Sequence, residues 1–302
     1  MKHESLMTEI SIREIPGIGI GQVENAQAGT GCTVLVAKDG MRAGLDVRGG
    51  GPASRESQLL NPLMSAQAIH AIVLAGGSAF GLGTADGVMK LLEERGIGFD
   101  VGVTKVPLVA QADLFDLTVG DGFVRPDAAM GYEAARHALD DPNYRDGNYG
   151  AGCGATVGKI AGMDTCMKSG IGSYAVRIGP LQIGAVVALN ALGDVFNWRT
   201  GEQIAGLLTE DRSGFRSTNA AFGKPALCKI AGMGHDGFAR SINPVHTSFD
   251  GDSIYAVSVG EVQADQEMVG ALAAEVISEA IIRAVEAAEG AYGFPAARDL
   301  RL

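Results

Sequence analysis

Apolar residues in this chain recur with two different periods, and the period marks the element. Between Gln263 and Ala288 the residues Met268, Leu272, Val276, Ile277, Ile281 and Val285 fall at helical spacing, while Glu275, Glu279, Arg283 and Glu286 remain for the wet side. That pattern predicts an amphipathic helix. Similar spacing predicts helices near Thr84 to Glu94, Asp127 to Leu139 and Pro225 to Ile242. Short β-branched runs predict strands buried on at least one face: Gly31 to Val36, Ala71 to Ala75, Ser173 to Ile178 and Ile183 to Leu189. A further strand, Ser253 to Val259, alternates apolar and polar residues. Strands gather with strands and helices with helices, without regular βαβ alternation, which favours an α+β or αββα layering over a doubly wound sheet. Between Gly201 and Phe222 the pattern fails. GEQIAGLLTEDRSGFRSTNAAF is polar, has no convincing strand after Leu208, and reads as a connector.

Composition narrows the function classes. A chain of 302 residues with 46% hydrophobic content can bury a large core as one domain or two intimate ones. The net charge is −11, from 24 basic and 35 acidic residues without a basic cluster, so the footprint of a nucleic-acid binder is missing. Ligands that are small and neutral, or that carry an amine, fit this balance. The first residues, MKHESLMTEISIREIPG, do not form a signal peptide, and no apolar run reaches 18 residues, so the expectation is a soluble cytoplasmic protein. Cys32, Cys153, Cys166 and Cys228 share no CxxC spacing and suggest neither a zinc site nor a disulfide framework. His235 and His246 lie near each other, but not at the spacing of a helical ligand pair, and read as structural. Forty-four glycines, clustered in short runs, mark tight turns and close backbone approach.

Four motifs bear on chemistry. AGGSAFGL, Ala75 to Leu82, joins a strand to a helix but lacks the GxGxxG spacing, and reads as a packing turn that can line a pocket. GNYGAGCGATVGK, Gly147 to Lys159, is not a P-loop, because Cys153 stands at the first glycine position and Ile160 follows the lysine. Cys153 is better read as a small buried residue than as a nucleophile. Asn190 ends the apolar run VVALN, where an amide is either a turn former or an oxyanion donor, and both remain open. In HDGFARSINPVHTSFDGDSIYAVSVGE, His235 to Glu261, Asp250 and Asp252 stand two apart at the mouth of a strand. Strand alternation would aim both carboxylates into one space; alternatively, a DGD turn caps its own backbone.

REIPGIGIGQ, GTGCTVLV, GLDVRGGGPASRESQLL, AIVLAGGSAFGLGTADGV, GAGCGATVGK, ALNALGDV and ARSINPVHTSFDGDSIYAVSVGE, in this order, resemble the L-aminopeptidase/D-esterase family, which includes β-peptidyl aminopeptidases and nylon-oligomer hydrolases. The resemblance implies an αββα four-layer sandwich similar to N-terminal-nucleophile hydrolases over residues 1–302, self-cleavage into two chains, a homo-oligomer such as a tetramer, and no metal or organic cofactor. It implies an aminopeptidase or amidohydrolase that cleaves small amides or peptides bearing a free amine through an acyl-enzyme. A new chain-terminal Ser or Thr attacks, with its own amine as base. Degenerate members that bind without cutting, and acyltransferases, are the alternatives. By position, Asn190 matches the oxyanion-stabilising asparagine, Lys159 a pocket lysine, and Asp250 and Asp252 the acidic pair near the nucleophile. Phe115 stands where some members have tyrosine.

Residues 1–208 resemble the family's first chain and 209–302 its second, with one departure. Thr218-Asn219-Ala220 matches the end of the nucleophile strand, yet GLLTEDRSGFRS precedes it, as though a few tens of residues were gone. The family's spacing, counted back from Asp250, reaches Asp211, which carries no hydroxyl. Ser213, and alternatively Ser217 or Thr218, are the nearby hydroxyls. Arg212, Gly214 and Arg216 fit a buried ladder poorly, so the expectation is a nucleophile strand that is shortened or missing.

Overall fold

A computed structural model describes residues 7–160, 162–206 and 214–300, with residues 214–218 described as backbone. Ten strands are hydrogen-bonded together: β1 (Met7–Ile10), β2 (Gly19–Asn25), β3 (Thr30–Val47), β4 (Ala53–Arg55), β5 (Ile69–Ala75), β6 (Val109–Asp113), β7 (Ile171–Ile178), β8 (Leu181–Ala188), β9 (Gly214–Ala220) and β10 (Ser253–Val262). Their spatial order is β1-β7-β8-β9-β10-β3-β5-β6-β4, with β2 also on β3.

The 18-residue β3 belongs to two layers. Its first half pairs antiparallel with β2 and β5, and its second half with β10. Between Val36 and Met41 the register shifts, with Gly40 at φ 81°, a left-handed conformation that a glycine adopts without steric cost. The strand thereby leaves one sheet and enters the other. Leu35, Ile72 and Leu74 from one layer share a buried cluster with Val186, Tyr255 and Val257 from the other, so the sheets face each other across a common core.

Helices close the outer faces. α1 (Thr84–Glu94) and α2 (Ala128–Asp140) bury Val88, Leu91, Ala134 and Ala135 against Val34 and Val73 of the β3/β5 layer. α3 (Lys224–Ser241) and α4 (Gln266–Ala287) bury Leu227, Phe238, Ile277 and Ile281 against the β7/β8/β10 layer. Glycine allows the closest approaches: a Cβ on Gly87 would lie 1.7 Å from the Ala128 oxygen, and one on Gly172 would lie 2.2 Å from the Ala284 nitrogen. The layers run helix, sheet, sheet, helix, as the αββα expectation required.

One expectation is corrected. Residues 214–220, taken from the sequence as part of a connector, form β9 in the middle of their sheet. β9 runs antiparallel to β8, from Val186↔Phe215 to Ile183↔Thr218, and parallel to β10 from Gly214↔Ile254. Two flanking ladders satisfy its backbone whatever its own propensity, an override that a single sequence does not reveal. Asn219 locks the far end: its Nδ2 donates to the Pro180 oxygen (3.1 Å) and its Oδ1 accepts from the Gln182 amide (2.7 Å).

Candidate active site

Strand direction decides what meets here. β8 runs antiparallel and β10 parallel to β9, so the C-terminal end of β8, the N-terminal end of β10 and the start of β9 share one edge of the sheet. Asn190 lies two residues beyond β8, and Asp250 three residues before β10. Ser217 and Thr218 pair with Gly184 and Ile183, four and five residues before the end of β8. At about 3.3 Å per residue their backbones lie about 13 Å or more from that edge. Ser213 lies outside the described residues.

Lys159 and Asn190 meet through two hydrogen bonds in the site. The short strand Thr156–Val157 ends at Gly158, whose φ of 77° turns the chain, and the Lys159 amide then donates to the Leu192 oxygen at 3.0 Å. Lys159 Nζ donates to both the backbone oxygen and the Oδ1 of Asn190, each at 2.8 Å. The Thr156 amide also donates to Oδ1 (3.1 Å). Two donors on Oδ1 fix the orientation of the amide. Nδ2 then gives one hydrogen to the Phe115 oxygen (3.0 Å), and its second hydrogen has no acceptor among the described residues. Burial lowers Lys159 from its usual range to about 7, opposed by the acidic groups of Cys166, Asp250 and Asp116 nearby.

Beside this pair lies a cavity of about 70 Å³ lined by Ser78, Asp113, Phe115, Asn190, Phe249 and Asp250, among others. Asp113 ends β6. Its Oδ1 accepts from Gln111 Nε2 at 2.7 Å, while its buried Oδ2 has no hydrogen-bond partner among the described residues. Burial raises the carboxyl to about 8; the Gln111 hydrogen bond opposes the shift and Asp116 adds to it. Asp116 in turn holds the opposite wall. Its Oδ1 accepts from the Gly77 amide (2.6 Å) and its Oδ2 from Thr30 Oγ (2.7 Å), which pins the turn where Gly77 and Ser78 both take left-handed φ, 83° and 51°. A left-handed serine is uncommon, and backbone strain of this kind persists where surrounding contacts over-determine it.

The two aspartates do not share one space. Asp250 lines the cavity, in a turn closed by the Thr247 amide on its Oδ2 (2.9 Å) and by its carbonyl accepting from the Gly51 amide (2.5 Å). Asp252 is fully buried and turned away: its Oδ2 accepts from the amide (3.0 Å) and Nδ1 (2.5 Å) of His246. Strand alternation fails as a guide because β10 begins only at Ser253. Asp250 therefore combines both sequence readings, capping its own turn while facing the pocket.

Among the predicted residues, the structure brings Lys159, Asn190 and Asp250 together and leaves Asp252 behind the wall. Asp113 went unnoticed in the sequence; its signal was VAQAD, a short alternating run that ends on an acid. Cys153 is buried, with its Sγ 3.5 Å from the Tyr292 hydroxyl, and burial pushes the thiol up, away from the reactive thiolate. Among the described residues no three His, Cys, Asp or Glu side chains are grouped to hold a metal ion, and no helix is long and apolar enough to cross a membrane.

Comparison with known proteins agrees in sequence and in fold. The chain is 36% identical to an uncharacterized aminopeptidase of Mycobacterium leprae, with 94% of this chain and 92% of the relative covered. It is 28% identical to a 6-aminohexanoate-oligomer endohydrolase of an Agromyces species, covering 90% and 84%. The backbone matches the L-aminopeptidase D-Ala-esterase/amidase of Ochrobactrum anthropi, a described variant of the Ntn hydrolase fold, with a TM-score of 0.67 at 16% identity over 92% and 86% of the two chains. The mycobacterial match runs over 345 positions, more than the 302 residues of this chain, so that relative carries a few tens of residues that this chain lacks. The model of peptidase family S58 matches residues 11–298, and the chain belongs to that family.

Proposed function

We propose that the cavity between Asn190 and Asp250 takes the free ammonium and the scissile carbonyl of a small amide or peptide, as the specific form of the aminopeptidase and amidohydrolase activity of this hydrolase family. The observation that carries this is the oriented Asn190 amide, with one Nδ2 hydrogen uncommitted among the described residues, beside the Oδ2 of Asp113, which has no partner among them either. A donor held in place before charge develops on the carbonyl oxygen is what oxyanion stabilisation requires. Asp113 and Asp250 would receive the ammonium. Asp113, its carboxyl raised to about 8 by burial, would give up its proton as the cation enters. Lys159 would keep the Asn190 amide in register and, with a pKa near 7, exchange protons at neutral pH.

In the reaction, a hydroxyl oxygen attacks the carbonyl carbon while a local amine takes its proton. The amide C–N bond then breaks, the leaving amine departs with that proton, and water releases the acyl group. We assign the attack to Ser213, the residue that precedes Gly214, the first of β9, in the sequence. The mid-strand register of Ser217 and Thr218 speaks against both. A cytoplasmic homo-oligomer, a tetramer by resemblance, completes the proposal.

The test is turnover of amino-acid p-nitroanilides with a free amine against their N-acetyl counterparts, in wild type and Ser213→Ala. Release from the free-amine substrates alone, abolished in S213A, supports the assignment; unchanged turnover in S213A overturns it. A second reading, a member that binds amines without cutting them, is favoured by Asp211 at the family's nucleophile spacing and by the tens of residues lacking relative to the mycobacterial relative. Amine ligands that raise the melting temperature without any turnover would select it. Trapping by added hydroxylamine distinguishes acyl transfer from hydrolysis.

A further inference from the structure

We propose that His246 is a positioning residue that latches the loop presenting Asp250, and that Asp252 acts through His246 rather than on a ligand. The proposal rests on the assignment of the cavity as the substrate site. Both donors of His246, backbone amide and Nδ1, converge on one oxygen of Asp252, at 3.0 and 2.5 Å. They are the only donors to that carboxylate among the described residues, and its other oxygen is buried without a partner. His246 reaches this arrangement at φ 59°, a conformation that side-chain-bearing residues seldom adopt. A single acceptor thus holds a left-handed turn in place.

The imidazole is fastened on its other side as well. It meets the His235 ring edge-on with centroids 4.7 Å apart, and the Phe238 ring lies 6.3 Å away, both on α3. His235 is itself anchored to Asp46, with Nε2 3.3 Å from the backbone oxygen and 3.2 Å from Oδ1. His246 therefore bolts the loop to the start of β10 and to α3 at once. The next residue begins the turn that sets the cavity wall: the Thr247 amide holds Asp250 Oδ2, and the Thr247 oxygen accepts from the Asp250 and Gly50 amides. If the bolt is released, Asp250 and Phe249 lose their fixed places, although neither touches His246 in these contacts.

Three variants separate backbone strain from the side-chain contact. His246→Asn tolerates positive φ and offers an amide near the position of Nδ1; His246→Gly tolerates the φ but has no donor; Asp252→Asn weakens the acceptor. Amide hydrogen exchange of peptides covering residues 245–252 reports the latch independently of catalysis. Substrate binding is read as KM against kcat on an amino-acid p-nitroanilide, or as calorimetric affinity for an amino-acid amide. The expected result for His246→Gly and Asp252→Asn is exchange and KM raised by about tenfold or more, with kcat changed much less, since a wall that has lost its place weakens binding throughout. His246→Asn should stay within about threefold of wild type by the same measures. Wild-type exchange in the glycine variant, or an asparagine variant as impaired as the glycine one, overturns the latch. Failure of every form, wild type included, to bind or cleave an amide would defeat the substrate-site assignment, while exchange alone would still decide the latch.

Discussion

Lys159 Nζ sits 2.8 Å from both the backbone oxygen and the side-chain oxygen of Asn190, so one ammonium clamps the two ends of the same residue. The clamp leaves the Asn190 nitrogen no choice but to face the Phe115 oxygen and the cavity. Removing the amide should therefore act on the reaction more than on the fold. Asn190→Ala is expected to lower kcat by about 10²–10³-fold on an amino-acid p-nitroanilide, the cost of one lost oxyanion donor. A loss below about threefold would remove Asn190 from that role.

Lys159 also carries a pH signature. Burial lowers its pKa to about 7, so the native state loses this proton three or more pH units before the unfolded chain does. Below pH 7 the lysine is charged in both states and the full burial penalty weighs on the native fold. Between pH 7 and about 10.4 the unfolded chain holds the extra proton, and stability rises with pH. The melting temperature of wild type should climb relative to Lys159→Met across that window. Lys168, also lowered to about 7 by burial, is present in both proteins, and because the Lys159 charge contributes to its shift the comparison reads the coupled titration of both lysines.

Asp113 has the opposite sign. Its native pKa of about 8 lies above the unfolded value of about 3.9, so between these limits the native state holds a proton that the unfolded chain has lost. Stability then falls as pH rises through the window. Asp113→Asn keeps an acceptor for Gln111 and removes the ionisable group. Its melting temperature advantage over wild type should grow from pH 4 to pH 8 and level off above that, as followed by thermal scanning in matched buffers.

Glu279 ties α4 to the loop beyond β8. Its Oε1 accepts from Trp198 Nε1 at 2.6 Å and from Arg199, whose guanidinium lies 4.4 Å from the Trp198 ring centroid. Glu279→Ala leaves the half-buried indole N–H without its acceptor and is expected to cost about 1–3 kcal/mol. Because Trp198 is the sole tryptophan in the chain, its fluorescence reports both the denaturation curve and any opening of the loop, as a red-shifted maximum.

Hydrophobic periodicity by itself determined most of the elements. It located α1 to α4 and strands β3, β5, β7, β8 and β10, because apolar spacing follows directly from helical and extended geometry. Lys159, Asn190 and Asp250 could be named as candidates because GAGCGATVGK, ALNALGDV and ARSINPVHTSFDGDSIYAVSVGE resemble family motifs, and the fold places them near one cavity. β9 was not, since a central strand with Arg216 and Gly214 takes its stability from neighbours on both sides, and pairing partners lie far away in sequence. Nor could the sequence tell Asp250 from Asp252. Two residues apart they look equivalent, but β10 begins after both, and a left-handed His246 captures Asp252 while Asp250 lines the cavity. Side-chain direction in a turn depends on the dihedral angles that tertiary contacts impose, and that decision belongs to the folded molecule.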